Sequence, residues 1–126
     1  MKTIFVIGLG GGIGSISRYL IGGYISRLLA TTFPAGAVVG TFVVNITGCF
    51  IIGLLFGLSN RHAWLTFEWR LFLITGICGG YTTFSSFSYE SIELFRHGNY
   101  LYFLLYVLCS VLLGLLATVG GAALAR

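Results

Sequence analysis

The segment 76–90, GICGGYTTFSSFSYE, carries the side chains of this sequence that are best suited to chemistry. It holds a double glycine, five hydroxyl side chains within positions 82–88, and two phenylalanines three positions apart. The rest of the chain is mostly apolar, with 57% hydrophobic and 8% charged residues overall. Broken backbone at membrane depth costs several kcal/mol per unsatisfied group unless protein or water satisfies it. The segment therefore marks where a polar species crosses or binds.

The composition predicts an integral membrane protein with one domain, residues 1–126. Soluble domains carry about 25% charged residues, whereas this chain of 126 residues carries 8% and has a mean hydropathy of +1.00. Its seven basic residues are scattered singly, without a basic stripe, so no nucleic-acid partner is expected. The three cysteines lie inside apolar runs, and we interpret them as small buried hydrophobic residues.

Four apolar segments are each long enough to cross a bilayer core of about 30 Å, which takes about 20 residues. They cover residues 3–26, 35–58, 69–95 and 100–124. No cleavage site and hydrophilic domain follow the first segment, so we interpret it as a retained helix rather than a signal peptide. The predicted fold class is an all-α membrane protein with four transmembrane helices in a lipid bilayer.

The charged residues give little information on orientation. With four spans, the termini and the middle loop share one side and carry four basic residues, Lys2, Arg61, Arg70 and Arg126. The two outer loops carry Arg27 and Arg96. The positive-inside rule needs a stronger asymmetry than four against two to fix a topology. Either orientation, or both, is therefore predicted.

Glycines four positions apart predict closely packed helices, because small residues let helix backbones approach each other. The pairs are Gly8/Gly12, Gly10/Gly14, Gly36/Gly40, Gly53/Gly57 and Gly76/Gly80. The run 8–14 resembles a dinucleotide-binding loop, but it does not meet the G-x-G-x-x-G spacing and no acidic residue follows about 20 positions later.

Two polar positions in the first two spans each have a structural and a functional interpretation. Arg18 either extends its stem to the membrane interface or forms an electropositive vestibule that concentrates anions. Thr41 and Asn45 share one helix face at i,i+4 spacing. Asn45 either bridges two helices or donates its amide N–H to a passing anion.

In the third span, residues 79–83 are expected to interrupt the helix, because two glycines weaken it and neighbouring hydroxyls can satisfy the freed backbone. Such a break offers carbonyls to a hard cation and N–H groups to an anion. Phe84 and Phe87 follow on one face, and they either pack in the core or turn their positive ring edges to an anion.

Further polar residues extend this face. Glu90 continues it from Phe87, and Tyr106 and Ser110 share a face of the fourth span at i,i+4 spacing. No catalytic constellation can be assembled from these side chains, so an enzyme is not expected.

Together these motifs resemble the CrcB/Fluc family of fluoride channels over essentially the whole chain. The resemblance includes GTFVVNITGCFIIG at 40–53 and GICGGYTTFSSFS at 76–88. The combination of GTxxxN in the second span with GGxTTFSxFSxE in the third is its most specific part. Glycines at 11, 12 and 14 and the pair Arg18-Tyr19 also agree.

The resemblance implies a fluoride-specific channel in the cell membrane that lets fluoride leave the cytoplasm passively. It further implies a dual-topology antiparallel homodimer with two pores and one structural Na⁺ at its centre. Na⁺ would be bound by the backbone carbonyls of Gly79 and Thr82, and Arg18 would line the vestibule. The fluoride pathway would be formed by Asn45, Phe84, Phe87, Thr41, Ser85, Ser86, Glu90, Tyr106 and Ser110.

Tyr81 stands where a smaller aliphatic residue often appears in the family, and little effect is expected from it. Two other classes of protein compete with the channel interpretation. They are a small four-helix multidrug-type exporter and a structural subunit of a membrane complex.

Overall fold

The computed structural model describes residues 1–30 and 36–125, and these form five helices without a strand. Helix α1 spans Lys2–Leu29, α2 spans Gly36–Arg61, α4 spans Phe84–Arg96 and α5 spans Tyr100–Leu124. Helix α3 covers residues 67–81 and contains a π-helical part, Leu71–Cys78, between two α-helical turns. The predicted start of the second span at residue 35, and Arg126 in the charge count, lie outside the described residues.

Three of the described helices are long and apolar enough to cross a membrane: Lys2–Leu29, Val38–Arg61 and Tyr100–Leu124. Large apolar side chains cover their outer faces. On α5, for example, Leu112, Leu116 and Val119 are each more than half exposed. Exposed apolar surface of this extent is suited to lipid rather than to water. The chain is therefore a multi-pass membrane protein.

Helices α2 and α5 form a close pair whose backbones approach each other at glycines. A side chain at Gly53 would collide with the backbone of Thr118, and one at Gly121 would collide with the backbone of Phe50. Because lipid supplies no hydrophobic drive between helices, this close van der Waals contact supports their association.

Helix α1 packs against α3 in the same way, with the backbones of Gly10 and Gly76 facing each other. The prediction that spaced glycines serve close packing holds for this contact. It does not hold for Gly8 and Gly12, since a Cβ at either position would meet nothing within 4 Å in the described part of the chain.

The connection from α3 to α4 consists of two threonines with extended backbone. Thr82 has φ −82° and ψ 158°, and Thr83 has φ −147° and ψ 117°. Thr83 caps α4, because its Oγ1 accepts a hydrogen bond from the N–H of Ser86 at 3.2 Å. The sequence predicted an interruption over 79–83, but Gly79 and Gly80 are helical.

The role of Gly80 explains this difference. A Cβ at Gly80 would collide with the backbone of Gly11, so this glycine permits close contact with α1 rather than breaking the helix.

The loop between α2 and α3 is held by Arg70, whose guanidinium donates to the carbonyls of Ser59 at 2.8 Å and Leu65 at 3.3 Å. At the start of α3, Glu68 accepts a hydrogen bond from the hydroxyl of Thr66 at 3.0 Å. Both contacts fix the loop at one end of the helix bundle.

Candidate functional site

Asn45 on α2 forms hydrogen bonds with both backbone polar groups of Thr83, in the extended segment between α3 and α4. Its Nδ2 donates to the carbonyl of Thr83 at 3.0 Å, and the N–H of Thr83 donates to its Oδ1 at 2.8 Å. One side chain therefore satisfies the N–H of Thr83, which lacks a helical partner, and adds a hydrogen bond at the Thr83 carbonyl. The structure thus shows the helix-bridging use of Asn45, and Nδ2 still carries a second N–H.

A first cavity of about 360 Å³ adjoins this contact, and we refer to it as the aromatic cavity. Its lining includes six of the predicted site residues: Asn45, Gly79, Thr82, Phe84, Phe87 and Ser110. The Oγ of Ser110 is buried and has no hydrogen-bond partner within the described residues. A buried hydroxyl without a partner costs about 1–3 kcal/mol, so this wall is suited to a polar ligand or a water molecule.

A second cavity of about 380 Å³ contains the charged residues of the site, and we refer to it as the charged cavity. The predicted residues in its lining are Arg18, Thr41, Ser86 and Glu90. Thr83 lines both cavities, so the two adjoin at the residue that Asn45 holds.

Arg18 lies half-buried and reaches the end of α3. Its Nη1 donates to the carbonyl of Thr82 at 3.0 Å. The last carbonyls of a helix lack intrahelical partners, and a cation close to them is favourable. The guanidinium is therefore held between α1 and α3, at the wall of the charged cavity.

Glu90 accepts hydrogen bonds from hydroxyls of two other helices. Thr41 on α2 donates to Oε1 at 2.7 Å, and Tyr106 on α5 donates to Oε2 at 2.8 Å. In residues 1–30 and 36–125, no basic side chain forms an ion pair with this carboxylate. Both hydroxyls are thus oriented as donors toward the carboxyl oxygens of Glu90.

Aromatic rings connect the two cavities. The ring centroids of Phe84 and Phe87 are 5.7 Å apart, and those of Phe87 and Tyr106 are 5.1 Å apart. Phe87 lines the aromatic cavity, while the phenol of Tyr106 reaches Glu90 at the charged cavity. Phe84 is 79% exposed and lies at the outer edge of this row.

Serine hydroxyls surround the start of α4. The Oγ1 of Thr83 lies 3.2 Å from the Oγ of Ser85 and donates to the Oγ of Ser86, also at 3.2 Å. Ser85 is exposed, whereas Ser86 faces the charged cavity. The structure therefore brings the predicted polar residues of α4 into one hydroxyl network with Thr83.

Two residues of the site were absent from the sequence-based set. Thr83 lines both cavities. The sequence feature that could have identified it is a threonine immediately before a helix, where hydroxyl caps are favoured. Ser15 lines the charged cavity and donates to the carbonyl of Gly80 at 3.4 Å. Its signal was the i,i+3 spacing to Arg18, which places both on one helix face.

The end of α3 offers backbone carbonyls to a cation. The N–H of Thr83 would pair with the carbonyl of Gly79 if the helix continued, but it donates to Asn45 instead. The carbonyl of Thr82 accepts one hydrogen bond from Arg18, and a carbonyl oxygen has two lone pairs. The described residues contain no group of three or more His, Cys, Asp or Glu that could hold a metal ion. These neutral oxygens fit a hard monovalent cation.

Comparison with known proteins identifies the family. Residues 5–122 match the family model described as CrcB-like protein, Camphor Resistance (CrcB). The chain belongs to this family. The resemblance predicted from the sequence motifs is therefore confirmed.

Relatives of the chain within the CrcB family are similar over nearly their full length. A protein of Flavobacterium psychrophilum named "Fluoride-specific ion channel FluC" is 49% identical over 126 residues, 100% of this chain and 98% of the relative. Proteins of the same name from Azobacteroides pseudotrichonymphae and Agrobacterium fabrum are 46% and 44% identical, over 96% and 100% of this chain and 94% and 98% of the relatives.

Proposed function

We propose that the chain is a fluoride-specific ion channel that lets fluoride leave the cytoplasm passively through the cell membrane. Family membership and the names of its full-length relatives support this function. The observation that carries the proposal is the junction of the aromatic and charged cavities at Thr83. It places amide, hydroxyl and aromatic groups on two neighbouring cavities that share one wall residue.

These groups are suited to fluoride, because selective pores replace the hydration shell of an ion with close ligands. The hydroxyls of Thr41 and Tyr106 already donate to carboxyl oxygens. Asn45 has a second amide N–H, and Phe84 and Phe87 have positive ring edges. Arg18 at the wall of the charged cavity raises the local concentration of anions. Fluoride thus finds hydrogen-bond donors on α2 and α5 and ring edges on α4.

The functional unit of the proposal is an antiparallel, dual-topology homodimer with two pores. In it, α3 and α4 together form one interrupted span, residues 67–96. The exposure of Phe84 at the edge of the aromatic cavity supports a dimer, because a second subunit would cover this ring. The weak charge asymmetry supports insertion in both orientations.

A structural Na⁺ belongs to the same proposal. The carbonyls of Gly79 and Thr82 from two subunits would supply four oxygens on the dimer axis. The hydrogen bond from the N–H of Thr83 to Asn45 supports this assignment, because in a continuous helix that N–H would donate to the carbonyl of Gly79. When bound, the ion would hold the two interrupted spans together.

Selectivity for fluoride is the first testable expectation. Purified protein in liposomes should release fluoride, measured with a fluoride electrode, and should retain chloride and organic cations. Protein-free liposomes provide the baseline. Equal efflux of fluoride and chloride would contradict the proposed selectivity, and transport of organic cations would favour an exporter.

Sodium dependence is the second testable expectation. Exchanging Na⁺ for a large organic cation, for long enough to empty a buried site, should strongly reduce fluoride flux. Restoring Na⁺ should recover the flux without movement of radioactive Na⁺. Unchanged flux after exchange would exclude a structural sodium ion.

Substitutions at the carbonyl residues should separate backbone from side-chain effects. Gly79→Val should reduce flux more than Thr82→Ala, because the proposed ligands are backbone atoms. Within the described chain a Cβ at Gly79 approaches only the Ile74 carbonyl, at 3.9 Å, so a loss would arise at the ion or the partner subunit. Gly8→Val is the matched control, since a Cβ there has open space. Equal losses in Gly79→Val and Gly8→Val would contradict the assignment.

A further inference from the structure

Tyr81, the last residue of α3, is buried and forms a hydrogen bond with α2. It is 9% exposed, and its phenol oxygen lies 3.0 Å from the Oγ1 of Thr47 on α2. The hydroxyl of Thr47 also lies 2.8 Å from the carbonyl of Val43 and 3.0 Å from that of Val44. A threonine hydroxyl has one proton, and these carbonyls can only accept it. With the Thr47 proton on either carbonyl, the phenol of Tyr81 is the donor to Thr47.

The ring of Tyr81 also packs closely against α2. A methyl group placed on Gly48 would lie 3.2 Å from its Cδ1 atom. The same methyl group would collide with the Cγ2 atom of Thr82, so Gly48 leaves room for both Thr82 and the ring of Tyr81. Packing and a hydrogen bond together fix the side chain of Tyr81 in one position.

Helix α2 consequently holds the end of α3 at two points. Thr47 holds the side chain of Tyr81, and Asn45, two residues earlier, holds the backbone of Thr83. Thr82 lies between these two points, and Gly79 lies two residues before Tyr81. Contacts with a single turn of α2 therefore lie on both sides of Thr82, whose carbonyl also accepts a hydrogen bond from Arg18 on α1.

We propose that the Tyr81–Thr47 hydrogen bond is a positioning contact that sets the carbonyls of Gly79 and Thr82 for cation binding. This inference rests on the proposed sodium site. It replaces the sequence-based expectation that an aromatic residue at position 81 has little effect. The hydroxyl, rather than the bulk of the ring, is the part of Tyr81 that matters for the ion.

Tyr81→Phe removes this hydroxyl and keeps the ring. We expect the Na⁺ concentration that sustains half-maximal fluoride flux to rise about fivefold, as for the loss of one neutral hydrogen bond. The rise in melting temperature that Na⁺ gives to the detergent-purified dimer should shrink in the same variant. This second readout does not depend on transport.

Variants of the partner residue test whether the two side chains act together. Thr47→Val should reproduce the shift, and the double variant should add little to either single one. Thr47→Ser keeps the hydroxyl and should retain the sodium dependence of the unmodified protein. Tyr24→Phe is the matched control, because Tyr24 is 69% exposed on α1.

Each outcome decides one point. If the unmodified protein responds to Na⁺ and Tyr81→Phe responds identically, the inference is wrong while the proposed sodium site stands. If the unmodified protein shows no response to Na⁺ in either readout, both the site and the inference are wrong. Loss of the dimer in saturating Na⁺, in both Tyr81→Phe and Thr47→Val, would make the contact a general packing element and would also overturn the inference.

Discussion

Replacing Phe87 or Phe84 by isoleucine is expected to reduce fluoride flux by up to about tenfold, the upper end of what one favourable aromatic interaction contributes. Isoleucine fills space but has no electropositive ring edge. Phe87 is half-buried against Tyr106, with ring centroids 5.1 Å apart, so its replacement also removes one ring from the row between the cavities. Fluoride efflux from liposomes measures the effect.

The exposure of Phe84 makes its variant informative. Because 79% of this residue is exposed, Phe84→Ile opens no cavity inside one subunit. A loss of flux would then come from the ion pathway or from the partner subunit. Size-exclusion chromatography separates these two causes, and Phe5→Ile is the matched control at a 72% exposed phenylalanine of α1. Impaired assembly with normal flux per remaining dimer would assign both phenylalanines to packing.

Forcing one orientation is expected to abolish most of the activity, because the antiparallel partner disappears. Asn60 and Ala63 are exposed at the end of α2 and in the loop after it, and lysines at both should bias insertion one way. His97 and Asn99 are exposed in the opposite loop, and lysines there should bias it the other way. Gly98 should be left unchanged, since its φ of 75° favours glycine.

Co-expression of the two oppositely biased variants should restore the flux. Glutamine at positions 60 and 63 is the neutral control and should leave orientation and flux unchanged. Labelling of single added cysteines from either side of the membrane measures orientation. A biased variant that inserts in one orientation only and remains fully active would exclude the antiparallel dimer.

The sequence was sufficient to predict features that depend on local composition. Long apolar segments predicted three helices that can cross a membrane, because a spanning helix needs both length and low polarity. The fourth predicted span, 69–95, is divided between α3 and α4. The i,i+4 spacing of Thr41 and Asn45 placed both on one face of α2, and both contact the segment 83–90 in the structure. Motifs at 40–53 and 76–88 were enough to predict the family.

Features that depend on contacts between distant segments could not be predicted. The hydrogen bond from Arg18 to Thr82 joins residues 64 positions apart, and no local pattern encodes it. The interruption was predicted from glycine propensity, but close packing of Gly80 on α1 keeps this residue helical. The role of Tyr81 was underestimated because its partner, Thr47, lies on another helix.

The carboxylate of Glu90 has a consequence for how long an ion stays in the proposed channel. Thr41 and Tyr106 already donate to its two oxygens. An arriving anion must therefore compete with the carboxyl oxygens of Glu90 for these protons, and when the anion departs the two hydroxyls can donate to Glu90 again. Conduction requires binding that is strong enough for entry and weak enough for exit. Because the carboxyl group of Glu90 competes for the same protons, we expect a fluoride ion to stay briefly at these hydroxyls and to pass quickly, rather than to bind tightly.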